Sequence, residues 1–202
     1  VCDVLMGRCD PSGHLAISFP RAVGQVPVFY AHKRSGGRSH WKGDYVDGST
    51  KPLLPFGFGL SYTTFAYSDF EIESEEVTTT GSFKASICVQ NTGNMPGDAV
   101  VQLYCADPVA SVTRPVKELK GFARVHLECG QKVRVQFEVA ASQMAFVDRG
   151  MRFVVEPGEI QVIFGEHAEK IAASGTVTLT GEKQCVDESR EFFSQYTVKD
   201  MG

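Results

Sequence analysis

The chain has 202 residues, 43% of them hydrophobic and 22% charged, with a formal net charge of −4. These are ordinary values for a soluble globular protein, enough for one domain or one domain and part of another. The acidic balance offers no basic surface for nucleic acid, and no apolar run approaches the ~18 residues that a membrane span needs, so neither partner is expected.

In chain order, "VCDVLMG" reads as the last turns of a helix, with Val1, Val4 and Leu5 on one side and Gly7 ending it. The start lacks the basic residues and long apolar core of a signal peptide, and its first residue is not Met. "DPSG" is a turn. "HLAISFP" reads as a short strand closed by Pro20, and "VPVFYAH" as another apolar run. A polar, glycine-rich loop follows, "KRSGGRSHWKGDYVDGSTK". These pieces do not suffice to enclose a core and read as the end of a domain that begins elsewhere.

The stretch "PLLPFGFGLSYTTF" (52–65) is uncharged and aromatic, too apolar for a solvated linker and too broken by Pro and Gly for a helix. After it the pattern changes to period two. In "FKASICVQN", Phe83, Ala85, Ile87 and Val89 share a face opposite Lys84, Ser86, Cys88 and Gln90. In "AVVQLYC", Val101, Leu103 and Cys105 alternate with Val100, Gln102 and Tyr104. "RPVKELKGF" is basic on one side and reads as a solvated or interdomain face. "KVRVQFEV" alternates Val133, Val135, Phe137 and Val139 with charged or polar residues. "MRFVV" and "EIQVIFG" flank Pro157-Gly158, a pair suited to a type II turn with Glu156 and Glu159 at a wet hairpin tip. "GTVTLTG" closes the series. Six or seven strands with one face buried and one wet predict a mostly β fold, a β-sandwich of the immunoglobulin or fibronectin type III kind. In the tail, Val186, Phe192, Phe193 and Tyr196 fit one stripe of a short helix from Asp187 onward.

The phases place Cys105 on an inward face and Cys88 on an outward one, so no disulfide between the sheets is expected. None of the six cysteines stands in a CxxC pair, and neither they nor the five histidines show metal-ligand spacing. No metal and no cofactor are expected. A reducing compartment, and with it a cytoplasmic location, is the reading these cysteines favour.

The stretches "DVLMGRCDPSGHLAISFPRAVGQVPVFYAHKRSGGR", "YVDGSTKPLLPFGFGLSYTTFAYSDF", "NTGNMPGDAVVQLYCAD", "RPVKELKGFARVHLECGQ" and "VEPGEIQVIFG" together resemble the C-terminal part of glycoside hydrolase family 3 enzymes, the β-glucosidases and β-xylosidases. The resemblance covers residues 1 to about 180 in order. It implies a parent enzyme with a (β/α)8-type barrel, an α/β sandwich and a fibronectin type III-like domain. Residues 1–59 are then the remnant of the α/β sandwich domain with a connecting loop, 60–182 the β-sandwich and 183–202 a C-terminal extension. The aromatic residues Phe56, Phe58, Tyr62 and Phe65 are expected to be buried where the two domains meet.

The family's mechanism is implied to be retaining hydrolysis of terminal non-reducing β-linked sugars by two carboxyl groups. No residue here matches the motif of either carboxylate, so no catalytic residue is assigned and the chain alone is expected to be inactive. Its partners are the barrel and α/β domains of the glycosidase, and its link to a β-glycoside substrate runs through the parent enzyme. Asp44 and Asp47 read as solvated acids, and Ser39, His32 and His40 lack a nucleophile elbow. Arg38, His40, Trp41 and Tyr45 are the substrate-binding candidates, because Trp and Tyr stack on sugar faces and Arg donates paired hydrogen bonds. The alternative reading is a stand-alone β-sandwich that binds a carbohydrate or protein partner.

Overall fold

The computed structural model describes residues 1–34, 48–186 and 190–202. Twelve strands are formed among them: β1 (Phe65–Ile72), β2 (Glu76–Thr78), β3 (Ser82–Asn91), β4 (Gly97–Ala106), β5 (Glu118–Leu127), β6 (Lys132–Ala140), β7 (Phe146–Val147), β8 (Phe153–Val155), β9 (Gly158–His167), β10 (Lys170–Thr180), β11 (Gln184–Cys185) and β12 (Gln195–Asp200). A four-stranded sheet, β1-β3-β6-β12, faces a five-stranded one, β2-β10-β9-β4-β5, and a small β11-β8-β7 sheet closes one end. All neighbours run antiparallel except β2 beside β10. The fold is a fibronectin type III-like β-sandwich.

The period-two reading explains the sandwich core. β3 and β6 pair Phe83 with Val139, Ala85 with Phe137, Ile87 with Val135 and Val89 with Val133, and all eight are buried. They meet Leu103, Val162, Phe164, Val177 and Leu179 from the other sheet. Phe137 and Phe164 touch across the two layers with ring centroids 5.9 Å apart. Each fully buried Phe contributes about 1.5–3 kcal/mol of transfer free energy. Cys105 lies in this core, whereas Cys88 lies outside it, buried beside Asp69, Lys132 and Arg134. The faces assigned from strand phase are those observed.

Four local expectations are corrected. Pro157-Gly158 does not form a hairpin: β8 belongs to the small sheet and β9 to the five-stranded one, so the dipeptide is a crossover between sheets. Gly158 accordingly has a φ of 154°, far from the +80° that a type II turn needs. "HLAISFP" makes single bridges, His14 to Gly59 and Phe19 to Leu54, instead of a strand ladder. "RPVKELKGF" leads into β5, and Lys120 is buried there with Nζ donating to the Gln143 carbonyl at 2.7 Å. The tail adds β12 to the free edge of β6 where a helix was expected, because Tyr196 and Val198 continue a period-two pattern that seats them over Phe137 and Val135.

At the N-terminus, a four-residue helix (Cys2–Leu5) ends at Gly7, whose φ is 66°. Among residues 1–34 only Gln25 is buried, so this segment has no core of its own. It is held by residues 48–62 instead. Asp10 accepts from Ser61 Oγ at 2.8 Å and from the Tyr62 N–H at 2.6 Å, and Gln25 donates to the carbonyls of Ser49 and Lys51.

Candidate functional surface

The outer face of the five-stranded sheet is where the N-terminal segment meets the sandwich. Residues 101–106 of β4 and 162–165 of β9 are buried on both faces, and Tyr104, Ala106, Ile163 and Ala168 form a second apolar cluster outside the core. Tyr30 and Phe56 cover it. Their rings stack with centroids 4.2 Å apart, and Tyr30 meets Tyr104 edge-on at 5.8 Å. The Leu119 N–H donates to Tyr30 Oη at 3.1 Å and the Ala168 N–H to the Phe56 carbonyl at 3.0 Å. Burial raises the Tyr30 hydroxyl pKa, against a smaller opposing effect of the Leu119 N–H, and also raises that of Tyr104. Both phenols are therefore neutral hydrogen-bonding groups at ordinary pH.

Gln102 pins the same seam. Its Nε2 donates to the Gly57 carbonyl at 3.1 Å and to the Glu166 carbonyl at 2.8 Å, while its Oε1 accepts from Tyr104 Oη at 2.5 Å. Gly57 sits at φ +79°, and a Cβ there would lie 2.2 Å from Gln102 Oε1. Only glycine allows both the left-handed backbone and the close approach.

The aromatic residues of the 52–65 stretch are distributed differently from the expectation of full burial. Phe56, Phe58 and Phe65 are half-buried against the sandwich itself, whereas Tyr62 is exposed and donates its hydroxyl to the Val4 carbonyl. Leu53 and Leu60 are exposed as well. The stretch lies flat on the sheet, so it has one covered and one open side.

At one end of the sandwich the charged residues are committed to structural partners. The Arg114 side chain is 7% exposed and donates from Nη2 to Glu118 at 2.9 Å and to the Met144 carbonyl, with its guanidinium 4.5 Å above the Phe146 ring. Burial lowers the Lys120 pKa, and Glu118 beside it opposes that effect. Asp148 accepts from the Gly150 and Arg152 N–H groups and pairs with Lys183 at 2.8 Å. The Lys183 bond, with the Arg152 N–H next, lowers its carboxyl pKa to about 2. Glu156 is no hairpin tip: it accepts from the Ser111 N–H and hydroxyl and pairs with Lys183 at 3.1 Å. This network ties the 107–117 loop to the small sheet; the bonds to Lys183 and Ser111 favour the anionic forms of Asp148 and Glu156, whereas burial raises the pKa of Asp107 in that loop against the nearby Arg114.

The binding candidates Arg38, His40, Trp41 and Tyr45 lie outside the described residues, as do Ser39, Asp44 and Asp47. Their flanks are placed. The Val116 N–H donates to the His32 carbonyl at 2.9 Å, Lys33 bridges Pro115, and Ser49–Lys51 is held by Gln25. Sequence reasoning missed Tyr30, Gln102 and Tyr104 as the seam that organises this surface. The available signal was the near-continuous apolar run of β4, which is typical of a strand buried on both faces.

Comparison with known proteins places these features. Residues 99–168 match the fibronectin type III-like domain. The chain is 40% identical over 177 residues to a periplasmic β-glucosidase of Salmonella typhimurium, covering 85% of this chain and 23% of that protein. It is 41% identical over 180 residues to a β-xylosidase of Formosa agariphila, covering 89% of this chain and 25% of that one. Among solved structures, a β-glucosidase from Listeria innocua in complex with glucose superposes with a TM-score of 0.81 at 35% identity, over 89% of this chain and 26% of that one. The chain thus spans about a quarter of the length of these relatives, matching their C-terminal part. The expected cytoplasmic location is overturned by the periplasmic relative. Its physical basis was also unsound: Cys105 points into the core from one sheet while Cys88 points away from it on the other, so the two stay unpaired in any redox compartment and their free thiols carry no information about location.

Proposed function

We propose that this chain, which carries a fibronectin type III-like domain at residues 99–168 and resembles the C-terminal part of glycoside hydrolase family 3 enzymes, is the interdomain module of a retaining β-glycosidase. The parent enzyme hydrolyses terminal non-reducing β-linked sugars, most directly β-glucosides. Its barrel and α/β domains supply the two carboxyl groups and are the partners of this module. Residues 1–59 are the end of the α/β sandwich domain.

The observation that carries this reading is the seam of Tyr30, Phe56, Gly57 and Gln102. It fixes the segment that precedes the sandwich to the sandwich's own outer face through buried aromatic stacking and hydrogen bonds. A module so joined sets the position of whatever domain that segment completes. The loop carrying Arg38, His40, Trp41 and Tyr45 is held at both stems, and its role is to shape the substrate entrance, with Trp41 stacking on a sugar face. Proximity of this kind matters because small misplacement of a catalytic geometry costs orders of magnitude in rate.

The test starts from the gene. The reading frame upstream of Val1 is expected to encode several hundred residues including both carboxylates; a start codon immediately before Val1 would support a stand-alone binding module instead. In the expressed enzyme, Trp41→Ala is expected to raise KM for an aryl β-glucoside roughly tenfold, about 1.4 kcal/mol, with kcat little changed. An unchanged KM would remove the loop from the substrate entrance.

A further inference from the structure

We infer that the outer edge of β12 is a self-association surface, pairing with β12 of a second copy of this chain in an antiparallel, two-fold symmetric ladder. β12 is the last strand of its sheet, and among the described residues nothing pairs with its outer edge. All six of its residues are exposed. Free edges of this kind are templates for another strand, and natural sheets usually blunt them with bulges, prolines or charged side chains. The other edge of the same sheet, β1, carries such a bulge, with its register shifted between Ser68 and Glu71 and Asp69 at φ 51°. β12 has neither: it pairs with β6 without a register shift and contains no proline, and its two charges, Lys199 and Asp200, sit together at its C-terminal end and leave residues 195–198 uncharged.

The sequence of β12 fits a copy of itself. The Met201 N–H donates to the Lys132 carbonyl of β6 at 3.0 Å. Backbone direction alternates along a strand, so the N–H and C=O groups of Tyr196 and Val198 point away from β6 to the free edge. Tyr196 and Val198 sit opposite Phe137 and Val135, so their side chains point to the inner face of the sandwich. They nevertheless remain 47% and 43% exposed.

A two-fold axis perpendicular to the sheet keeps both inner faces on one side in ladders centred on Tyr196, Thr197 or Val198, and among these the ladder that puts Thr197 opposite Thr197 makes the best side-chain pairs. That register bonds the free backbone groups of Tyr196 to those of the copy's Val198. It sets an aromatic ring beside a β-branched side chain on the inner face and Thr beside Thr on the outer one, both favourable cross-strand pairs. Gln195 then faces Lys199, and no like charges oppose one another. The exposed Phe192 and Phe193 lie just before the strand and extend the apolar contact. Two six-residue strands bury less than the ~1,200–2,000 Å² of a permanent interface, so the dimer dissociates on dilution.

The test uses the register. Thr197 lies on the outer face opposite Gln136, where a charged side chain is tolerated in the monomer, yet the two-fold axis brings it against itself. Sedimentation equilibrium at roughly 100 µM should show a species of twice 22.1 kDa for the wild-type chain. Thr197→Lys and Thr197→Glu should each weaken dimerisation at least about tenfold, and an equimolar mixture of the two should restore it. Val198→Pro should abolish it with unchanged circular dichroism, since the lost N–H faces away from β6. A monomeric wild type, dimers of undiminished strength in Thr197→Lys, or a mixture of the charged variants that stays monomeric would each overturn the proposal.

Discussion

At the scale of single residues, Gly57 carries the most constrained backbone of the seam. It combines φ +79° with the close approach of the Gln102 side chain, so an added Cβ meets both a disfavoured backbone and a buried hydrogen-bond network. Gly57→Ala is expected to lower stability in urea melts by about 1–3 kcal/mol or more; a loss below about 0.5 kcal/mol would mean that the 52–65 stretch yields freely. Asp148 gives a pH signature. Its carboxyl titrates at about 2 in the folded protein against an ordinary value of 3.8. The unfolded chain therefore binds more protons between these values, and stability rises with pH through that window. The Asp148 contribution is complete above the unfolded value and is lost as pH falls through the folded one. Asp148→Asn should flatten the acid limb of the stability curve between about pH 4 and 2, measured by urea denaturation at stepped pH. An acid limb identical to wild type would assign that dependence to other carboxylates.

Among the elements, the 52–65 stretch and the strand that follows it respond differently to truncation. Phe65 opens β1 and packs on the sandwich core, so Phe65→Ala is expected to cost about 2 kcal/mol or more in denaturant melts. Phe56 packs only on the outer cluster with Tyr30. Phe56→Ala should therefore release residues 1–64 to limited proteolysis while the sandwich resists, and simultaneous digestion of both would show that the seam and the core are one cooperative unit. How far these elements were legible depended on where their partners lie. β3 and β6 were readable because Phe83 to Val89 and Val133 to Val139 alternate cleanly over a long run, and their pairing needs no other information. β12 was not, because Phe192, Phe193 and Tyr196 also fit a helical stripe. The choice of strand is made by the free edge of β6, about sixty residues away in the chain. Pro157-Gly158 has the composition of a turn, and only the sheet membership of β8 and β9 makes it a crossover. The candidate binding residues were chosen by side-chain chemistry alone, and they fall in 35–47, outside the described residues. The seam was only half legible: the apolar run of β4 pointed to burial on both faces, but Gln102 and Tyr104 alternate as a wet face should, and the segment that covers them, Tyr30 to Gly57, lies far earlier in the chain.

For the whole molecule, the division of labour is between a sandwich that holds itself together and a preceding segment that depends on it. The sandwich has its own core across two sheets; residues 1–34 bury only Gln25. Apolar residues such as Leu5, Ile17, Val23, Phe29 and Leu60 remain exposed on that segment, which is the pattern expected of a surface completed by another part of a larger enzyme. The central claim is that this chain supports a β-glycosidase without carrying its catalytic carboxylates. The most direct measurement is hydrolysis of an aryl β-glucoside by the purified 202-residue chain beside the enzyme expressed from its full reading frame. The full enzyme should turn over and the chain should match the uncatalysed rate. Turnover by the chain alone, abolished by substituting one of its own carboxylates, would contradict the account.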